Sequence, residues 1–297
     1  MPERGEAVLI SVILPAAGVG QRFRGAGRDA EASASKIEYL LDRRPVFLHA
    51  IDALRTRPEI GQVLMAVHPE RVDEFRLRWG EVLADRGVRL VAGGTRERWE
   101  TVSLALQQVD PESTHVAVHD AARPIVPADL LDRLIRAARR WPAVVPALPV
   151  SDTLKRVGDA APATIADPAE DTDQADRIFA AIQEPPGHVS PQHRTIIETV
   201  PRADLVAVQT PQVFSRPLLE RAYAALLQDP GDTRRITDDA SLVEALGEPV
   251  VTVDGHGSNL KLTRPEDADL LTALIQQTSQ RQAKRDAVAD LFGDDED

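Results

Sequence analysis

The sequence SVILPAAGVGQRF occupies residues 11–23, and the rest of the chain is organised around it. The apolar run at residues 8–14 predicts a strand that is buried on both faces. The small residues and glycines that follow let the backbone approach a ligand closely, and the N–H groups of such a loop can bind phosphate. Arg22 and, after a Gly/Ala/Ser-rich spacer, Lys36 add positive charge. Together these features suggest a nucleoside triphosphate site.

The glycine loop alone does not decide between a binding site and an ordinary turn. It lacks the Gly-Lys-Ser/Thr of a Walker loop, and it has no third glycine at the Rossmann spacing. A strand followed by a glycine turn is common in α/β proteins. The hypothesis of a nucleotide site therefore needs support from the rest of the chain.

The composition limits the classes of protein to consider. The chain has 297 residues, with 35 Lys and Arg against 47 Asp and Glu, so its formal net charge is −12. This charge argues against general nucleic-acid binding, which needs a basic face. The absence of cysteine excludes disulfides, thiolate metal sites and a cysteine nucleophile. No run of residues has the length and apolarity of a membrane span or secretory signal, so we expect a cytoplasmic protein without a membrane partner.

Apolar runs alternate with helical patterns along the first half of the chain. This alternation predicts an α/β fold with a mostly parallel sheet and helices on both faces. Ligands bind such sheets beyond the carboxyl ends of the strands, so the loops at 15–22, 93–101 and 119–124 should converge. The predicted strands are 8–14, 63–67, 88–91, 116–118 and 144–148, and the predicted helices are 44–56, 70–83, 98–109 and 130–140, the last with Asp129 as its N-cap.

The second half of the chain is less regular. Residues 158–194 are rich in Pro, Ala, Asp and Gln, which predicts an insertion with weak internal order. We expect one domain at 1–275, with an arm and insertion at about 150–205, followed by a charged, flexible tail at 276–297 in which a solvated helix frays to disorder. The remaining predictions are strands at 152–157, 205–208, 250–253 and 260–262, and helices at 176–182, 217–227, 238–246 and 264–275, with Thr237 capping 238–246.

Six motifs occur in a specific order, and together they resemble the 2-C-methyl-D-erythritol 4-phosphate cytidylyltransferase family of the nonmevalonate isoprenoid pathway. The resemblance covers about residues 12–275. It implies a Rossmann-like α/β fold with a projecting dimerisation arm, and a homodimer. It also implies transfer of CMP from CTP to the acceptor phosphate, with Mg²⁺ as cofactor and pyrophosphate as product. The motifs are PAAGVGQRF (15–23), HDAARP (119–124), PVSDTLKRV (149–157), QTPQVF (209–214), ITDDAS (236–241) and NLKLTRPED (259–267).

The resemblance also implies roles for individual residues. Arg22, Lys36 and Lys261 would be the catalytic cations, and Asp120 would be the one metal contact, with Mg²⁺ held mainly by the CTP phosphates. Arg202 would reach the substrate phosphate of the neighbouring subunit from the arm. The nucleotide-binding residues would be Pro15, Ala16, Ala17, Gly18, Gly20, Gly94, Thr101 and Asp120, and the substrate-binding residues Asp120, Arg123, Thr153, Arg202, Thr210, Thr237 and Lys261.

Several features depart from the family pattern. Thr101 stands where a serine is usual, and its segment is one residue longer, which leaves the alignment of Thr95 and Arg96 open. Residues 25–35 separate Lys36 from the glycine loop, and the arm carries an insertion at about 159–198. The charged tail has no counterpart in the family. None of these departures removes a basic group from the predicted site.

Two alternatives stay open at the level of sequence. A cytidylyltransferase for another polyol phosphate, such as ribitol 5-phosphate, would use the same fold and nucleotide half. A nucleotide-binding regulatory or scaffold protein could have kept the fold and lost catalysis. The presence of Arg22, Lys36, Asp120 and Lys261 argues against the second alternative, because a protein without catalysis would not need these charges.

Overall fold

The computed structural model describes residues 8–18, 35–160, 194–229, 231, 233 and 236–292. Predicted site residues Gly20 and Arg22 and the predicted helix at 176–182 lie outside these described residues. The chain forms two compact units, Met1–Leu148 with Val208–Asp297, and Pro149–Ala207. The strands are β1 (Ile10–Pro15), β2 (Leu40–Leu41), β3 (Arg44–Pro45), β4 (Ile60–Val67), β5 (Val88–Ala92), β6 (His115–Val118), β7 (Ala143–Pro149), β8 (Leu154–Ala160), β9 (Arg194–Val200), β10 (Val206–Val208), β11 (Gln212–Ser215) and β12 (Val251–Asp254).

The first unit is built on a mostly parallel sheet in which β12, β7, β11, β6, β1, β4 and β5 are successive neighbours. The pairs β1–β4, β1–β6, β4–β5 and β7–β12 are parallel. Strand β11 is antiparallel to both β6 and β7. The predicted α/β fold class is therefore confirmed.

The helices cover both faces of this sheet. In β1, Val12 and Leu14 belong to a core with the helices at 46–54, 72–84 and 128–138, whereas Ile13 belongs to a core with the helices at 98–106, 216–228 and 240–245. This alternation follows from the two-residue repeat of a strand, and it explains why the first apolar run has no polar face. The helices are α1 (Val46–Leu54), α2 (Val72–Ala84), α3 (Arg98–Leu106), α4 (Ala128–Ala138), α5 (Arg216–Gln228), α6 (Ala240–Ala245) and α7 (Asp267–Phe292), with 3₁₀ helices at Lys36–Glu38 and Pro69–Arg71.

Several predicted boundaries were wrong. Residues 260–262 form no strand, although Leu262 is fully buried beside Leu271 and Ile275 of α7. Pro127, not Asp129, precedes α4, and Asp239, not Thr237, precedes α6. The predicted helix at 264–275 and the predicted helix of the tail form one continuous helix, α7, which runs from Asp267 to Phe292. Apolar runs without clear periodicity do not distinguish a buried loop from a strand, which explains the first error.

The second unit contains an antiparallel pair, β8 and β9, with Leu154 opposite Val200 and Ala160 opposite Arg194. The sequence predicted β8 in part, as a strand at 152–157. It predicted weak order up to residue 194 and no further strand before residue 205, so the whole of β9 was missed. Large apolar side chains are exposed on this unit: Val157, Ile196, Ile197, Leu205 and Val206.

Among the helices that the structure describes, none is both long enough and apolar enough to cross a lipid bilayer.

The pairing of Ala160 with Arg194 yields a prediction about the chain between them. Residues 161–193 contain few aromatic residues and many Pro, Ala and Asp, so they offer little apolar surface for folding. Because paired antiparallel residues are close enough for a short turn, a Gly-containing turn should replace the whole segment. We expect a cooperative thermal unfolding transition at or above the wild-type temperature. Insolubility or loss of cooperativity would show that residues 161–193 contribute to the folded core.

Candidate active site

A cavity of about 220 Å³ lies at the carboxyl ends of four parallel strands. Each strand contributes the residues that immediately follow it, as expected for an open α/β sheet. The loops after β1, β4, β5 and β6 supply Ala16, His68, Gly94 and Asp120, respectively. The lining residues are Pro15, Ala16, Ala17, Gly18, Lys36, Ile37, His68, Gly94, Thr95, Arg96, Glu97, Arg98, Thr101, Asp120, Ala121, Ala122 and Lys261.

The lining of this cavity is more basic than the chain as a whole. It contains the four cations Lys36, Arg96, Arg98 and Lys261. Glu97 and Asp120 are its two acids, whereas the whole chain carries a formal net charge of −12. Opposite local and overall charges favour an anionic ligand at this cavity, because the concave site concentrates the field of its own cations.

The Asp120 carboxylate is the centre of the charged network. Lys261 Nζ lies 2.8 Å from Oδ2, Arg123 Nε lies 3.5 Å from Oδ2, and Arg98 Nε lies 3.8 Å from Oδ1. Burial opposes ionisation of Asp120, but Lys261, Arg98 and Arg123 outweigh it and hold the pKa of Asp120 far below its usual value. Asp120 is therefore a permanently charged carboxylate at the edge of the cavity.

Arg98 connects Asp120 to a second buried acid. Its NH1 atom lies 2.8 Å from Asp239 Oδ2, and the Tyr223 hydroxyl donates to Asp239 Oδ1 at 2.6 Å. Burial alone would lower the pKa of Arg98, but Asp239 and Asp120 raise it. Burial, followed by the charge of Asp239, raises the pKa of Tyr223 well above its usual value. Arg98 thus stays charged, and its ion pair with Asp239 attaches it to the start of α6.

His119 forms a second chain of hydrogen bonds beneath Asp120. The Asp120 N–H donates to Thr210 Oγ1 at 3.0 Å, and Thr210 Oγ1 lies 3.1 Å from His119 Nδ1. His119 Nε2 lies 3.1 Å from the Arg123 carbonyl, so Nε2 must carry the proton and Nδ1 must accept from Thr210. Burial lowers the pKa of His119 to about 4. The imidazole is therefore neutral and has both nitrogens occupied.

The loop that carries Lys261 is attached to the HDAARP loop by backbone contacts. Arg123 NH1 donates to the Asn259 carbonyl at 2.7 Å, and Leu262 N–H donates to the Ala122 carbonyl at 2.8 Å. The Asn259 side chain, fully buried, donates to the Thr210 carbonyl at 2.8 Å. Three segments that are distant in sequence are thereby joined, and Lys261 is placed beside Asp120.

The loop after β5 needs glycine at its second position. A Cβ on Gly94 would lie 2.5 Å from Glu100 Cβ and 3.0 Å from the Thr101 backbone nitrogen, so any side chain would displace the start of α3. The Gly94 N–H donates to Thr101 Oγ1 at 3.0 Å. The threonine that replaces the usual serine therefore keeps the hydroxyl that fixes this loop.

The structure brings most of the predicted site residues together. Arg123 and Thr210 contact Asp120 but do not line the cavity. Thr237 is exposed and lies outside the cavity lining. Thr153 and Arg202 belong to the second unit, where Arg202 donates to the Ser151 carbonyl. The predicted residues that line the cavity are Pro15, Ala16, Ala17, Gly18, Lys36, Gly94, Thr101, Asp120 and Lys261.

Four residues that shape the site were not selected from the sequence: Arg98, His119, Asp239 and Asn259. His119, Asp239 and Asn259 stand inside the motifs HDAARP, ITDDAS and NLKLTRPED. A polar residue within two positions of a selected residue in such a motif was a usable signal. No such signal points to the pairing of Arg98 with Asp239, because the two residues are far apart in sequence.

The acids of the site suit a metal that is held mainly by a ligand. Within the described residues, no three His, Cys, Asp or Glu side chains converge to hold a metal ion. Asp120 offers one permanently charged carboxylate at the cavity edge. Mg²⁺ commonly uses one or two carboxylates together with substrate phosphates, so Asp120 fits this mode of binding.

The fold and the cavity define a class of protein. A glycine loop after the first strand and a basic cavity at the carboxyl ends of parallel strands are typical of α/β enzymes that bind nucleotides. A family model described as 2-C-methyl-D-erythritol 4-phosphate cytidylyltransferase (IspD) matches residues 10–176 and 188–277. The chain belongs to this family of nucleotidyltransferases, and the resemblance inferred from the six motifs is confirmed.

Individual relatives agree with the family assignment. The chain is 37% identical over 267 residues to the 2-C-methyl-D-erythritol 4-phosphate cytidylyltransferase of Streptomyces coelicolor, covering 89% of this chain and 84% of the relative. It is 35% identical over 281 residues to the 2-C-methyl-D-erythritol 4-phosphate cytidylyltransferase of Rhodopirellula baltica, covering 91% of this chain and 96% of the relative. The crystal structure of the Thermus thermophilus enzyme superposes with a TM-score of 0.63 at 29% identity, covering 91% of this chain and 100% of that chain.

The buried His119 yields a prediction about stability and pH. Its folded pKa of about 4 lies below the unfolded value of 6.5. As pH falls from 6.5 towards 4, the unfolded chain takes up a proton that the folded chain does not, so stability is lost across this window. Between pH 7 and pH 4.5 we expect His119 to account for roughly 2–3 kcal/mol of the loss in unfolding free energy. Urea denaturation of wild type and His119→Gln at pH 7 and pH 4.5 measures the loss in unfolding free energy of each protein. Equal pH-dependent losses in the two proteins would contradict a neutral buried His119.

Proposed function

We propose that this protein transfers CMP from CTP to 2-C-methyl-D-erythritol 4-phosphate, with release of pyrophosphate, in isoprenoid precursor biosynthesis. The observation that carries the proposal is the basic cavity of an acidic chain, centred on the Asp120–Lys261 pair at 2.8 Å. The family assignment supports the choice of substrates. We further propose that the enzyme works in the cytoplasm, as expected from the sequence.

In this proposal the nucleotide lies against the loop after β1. Pro15, Ala16, Ala17 and Gly18 line the cavity, and their small side chains leave the backbone accessible. Among the residues that the structure describes, no atom lies within 4 Å of a Cβ built on Gly18. Arg22 and Gly20 join the site on the grounds of sequence alone. Gly94 and Thr101 would contact the base and ribose.

The chemistry in this proposal needs charge and position, but no general base. A phosphate oxygen of the acceptor attacks the α-phosphorus of CTP in line. A new P–O bond forms to the acceptor, and the bond to the bridging oxygen of the β-phosphate breaks, so its electron pair leaves with pyrophosphate. The acceptor phosphate is already ionised near neutral pH. His119, neutral and with both nitrogens engaged, is not available as a base.

The cations would hold the two polyanions together and neutralise the charge that develops on the equatorial oxygens. Lys36 and Lys261 line the cavity and provide this charge. Asp120 holds Lys261, and Arg98 and Arg123 keep Asp120 ionised. Asp120 is also the residue that would contact Mg²⁺. The bound ion would supply further neutralisation of the triphosphate charge.

We propose that the protein is a homodimer formed through the second unit. Ile196, Ile197 and Val206 are each at least half exposed, at 58%, 63% and 50%. Apolar side chains that are exposed together favour a protein interface. In such a dimer Arg202 would bind the acceptor phosphate of the neighbouring subunit, since a guanidinium can grip a phosphate with two hydrogen bonds. Thr153, Thr210 and Thr237 would complete the acceptor site.

A direct assay tests the proposed reaction. Purified protein is incubated with CTP, Mg²⁺ and either 2-C-methyl-D-erythritol 4-phosphate or ribitol 5-phosphate, and pyrophosphate release is followed. We expect the first acceptor to have the higher kcat/KM. A higher kcat/KM with ribitol 5-phosphate would show that the acceptor in this proposal is wrong and that ribitol 5-phosphate is the better acceptor. Absence of pyrophosphate release with either acceptor, by protein that still binds CTP, would indicate a non-catalytic nucleotide-binding protein.

Two lysine variants test the proposed catalytic cations. We expect Lys36→Ala and Lys261→Ala each to lower kcat on the order of 100-fold or more, because each removes a positive charge that stabilises the transition state. Lys284→Ala is the matched control, since Lys284 is exposed on the terminal helix α7. Turnover is compared with the thermal unfolding temperature of each variant. Near wild-type turnover in a lysine variant would remove that residue from the mechanism.

A mixed-dimer experiment tests Arg202. Lys36→Ala and Arg202→Ala should each be nearly inactive alone. If each site takes Lys36 from one chain and Arg202 from the other, unfolding and refolding them together gives dimers with one intact site. Random pairing then restores roughly a quarter of wild-type sites. If mixed dimers form, as shown by two differently sized affinity tags, and activity stays at the level of the components, Arg202 acts within its own chain or not at all.

A further inference from the structure

Lys36 lies on a short 3₁₀ helix that has little stability of its own. The 3₁₀ helix Lys36–Glu38 is three residues long. Its backbone hydrogen bonds are Glu38 N–H to the Ser35 carbonyl at 2.8 Å and Tyr39 N–H to the Lys36 carbonyl at 3.3 Å. A single turn of this kind has little stability of its own. The position of the turn therefore depends on contacts made by its side chains.

Glu38 provides such contacts from a buried position. Its side chain is only 1% exposed. Oε2 accepts from Arg71 NH2 at 2.7 Å and from the Ser35 N–H at 3.2 Å. Oε1 accepts from Trp79 Nε1 at 3.2 Å and from Arg78 NH1 at 3.4 Å. Four donors surround the carboxylate, so both of its oxygens are satisfied without water.

The donors belong to a rigid part of the first unit. Trp79 packs edge-on against Phe47 of α1, with ring centroids 5.4 Å apart, and Phe47 packs against Phe75 at the same distance. The guanidinium of Arg71 lies over the Phe75 ring, at 5.8 Å from its centroid. Arg71 also ends the 3₁₀ helix that follows β4. Glu38 thus attaches the Lys36 turn to α2 and to the loop after β4.

The geometry of the turn separates the two side chains. A 3₁₀ helix has three residues per turn, so side chains two positions apart point about 120° away from one another around the axis. The buried Glu38 carboxylate is directed towards its four donors, whereas Lys36 lines the cavity together with Ile37. Anchoring of Glu38 therefore fixes the direction in which Lys36 leaves the turn.

We propose that Glu38 is a positioning residue for Lys36: its buried carboxylate, held by Arg71, Arg78 and Trp79, directs the Lys36 ammonium into the cavity. The inference rests on the proposed catalytic role of Lys36. Glu38 itself acts on the reaction only through that lysine. Because misplacing a reacting or stabilising group by about 1 Å can cost on the order of 100-fold in rate, loss of this anchor should affect kcat.

The test compares Glu38→Gln in wild type and in Lys36→Ala, using pyrophosphate release from CTP at enzyme concentrations that reveal residual turnover. In wild type we expect Glu38→Gln to lower kcat on the order of 10- to 100-fold. In Lys36→Ala we expect no further decrease, whereas the loss of stability to urea should be the same in both backgrounds. Equal fold-decreases in kcat in the two backgrounds would overturn the inference, because Glu38 would then act independently of Lys36.

Glu74→Gln is the matched control. Glu74 also pairs with Arg71, at 3.1 Å, but its side chain is 54% exposed. Within the described part of the chain, its hydrogen bonds and ion pairs are with Arg71 and do not involve residues 36–38. We expect its kcat to equal that of wild type. If Glu38→Gln does not fold, Trp79→Phe removes one donor from Glu38 and keeps an aromatic ring, and it should lower kcat in the same background-dependent way.

Hydrogen exchange gives a readout that does not depend on activity. We expect the backbone amides of residues 36–39 to exchange faster in Glu38→Gln than in wild type or Glu74→Gln, because the turn loses its anchor. Unchanged exchange would overturn the inference. A failure of the proposed catalytic role of Lys36 would give a different result. Lys36→Ala would then keep wild-type turnover, whereas the amides of residues 36–39 would still exchange faster in Glu38→Gln. This result would show that Glu38 holds the turn and that Lys36 has no catalytic role.

Discussion

The buried carboxylate of Asp120 stays ionised because Lys261, Arg98 and Arg123 surround it. Removing a carboxylate from water is costly unless opposite charges compensate. Here the compensating cations come from three separate parts of the chain, residues 98, 123 and 261, so the charge can be buried only after these segments have assembled. The same contacts that stabilise the anion therefore bring Arg98 and Lys261 to the cavity.

This arrangement explains how an acidic protein presents a basic cavity. The cations around Asp120 are held by acids and by backbone carbonyls, as with Arg123 and the Asn259 carbonyl. They need no additional ordering when a polyanion binds, which lowers the cost of binding and of reaching the transition state. Pre-ordered charge suits a reaction whose main demand is to hold two phosphorylated substrates together.

Three buried acids anchor the basic side chains of the cavity. Asp120 holds Lys261, Asp239 holds Arg98, and Glu38 holds the turn of Lys36. Each side chain is at most 13% exposed, at 13%, 0% and 1%. Hydrogen bonds and ion pairs are strongest and most directional where water is excluded. Burial of the acid, with the cation at the cavity, is therefore an effective way to fix a flexible basic side chain.

The sequence by itself determined the strands β1, β4, β5 and β6, the loops that follow them and most residues of the cavity lining. These features depend on local apolar periodicity and on the rule that parallel strands share one ligand-binding edge. Only the tertiary structure decided the antiparallel insertion of β11 between β6 and β7, the partner of Arg98 and the burial of Glu38. A carboxylate on the surface and one enclosed by three side-chain donors have the same local sequence signature, because their difference arises from residues brought together by long-range folding.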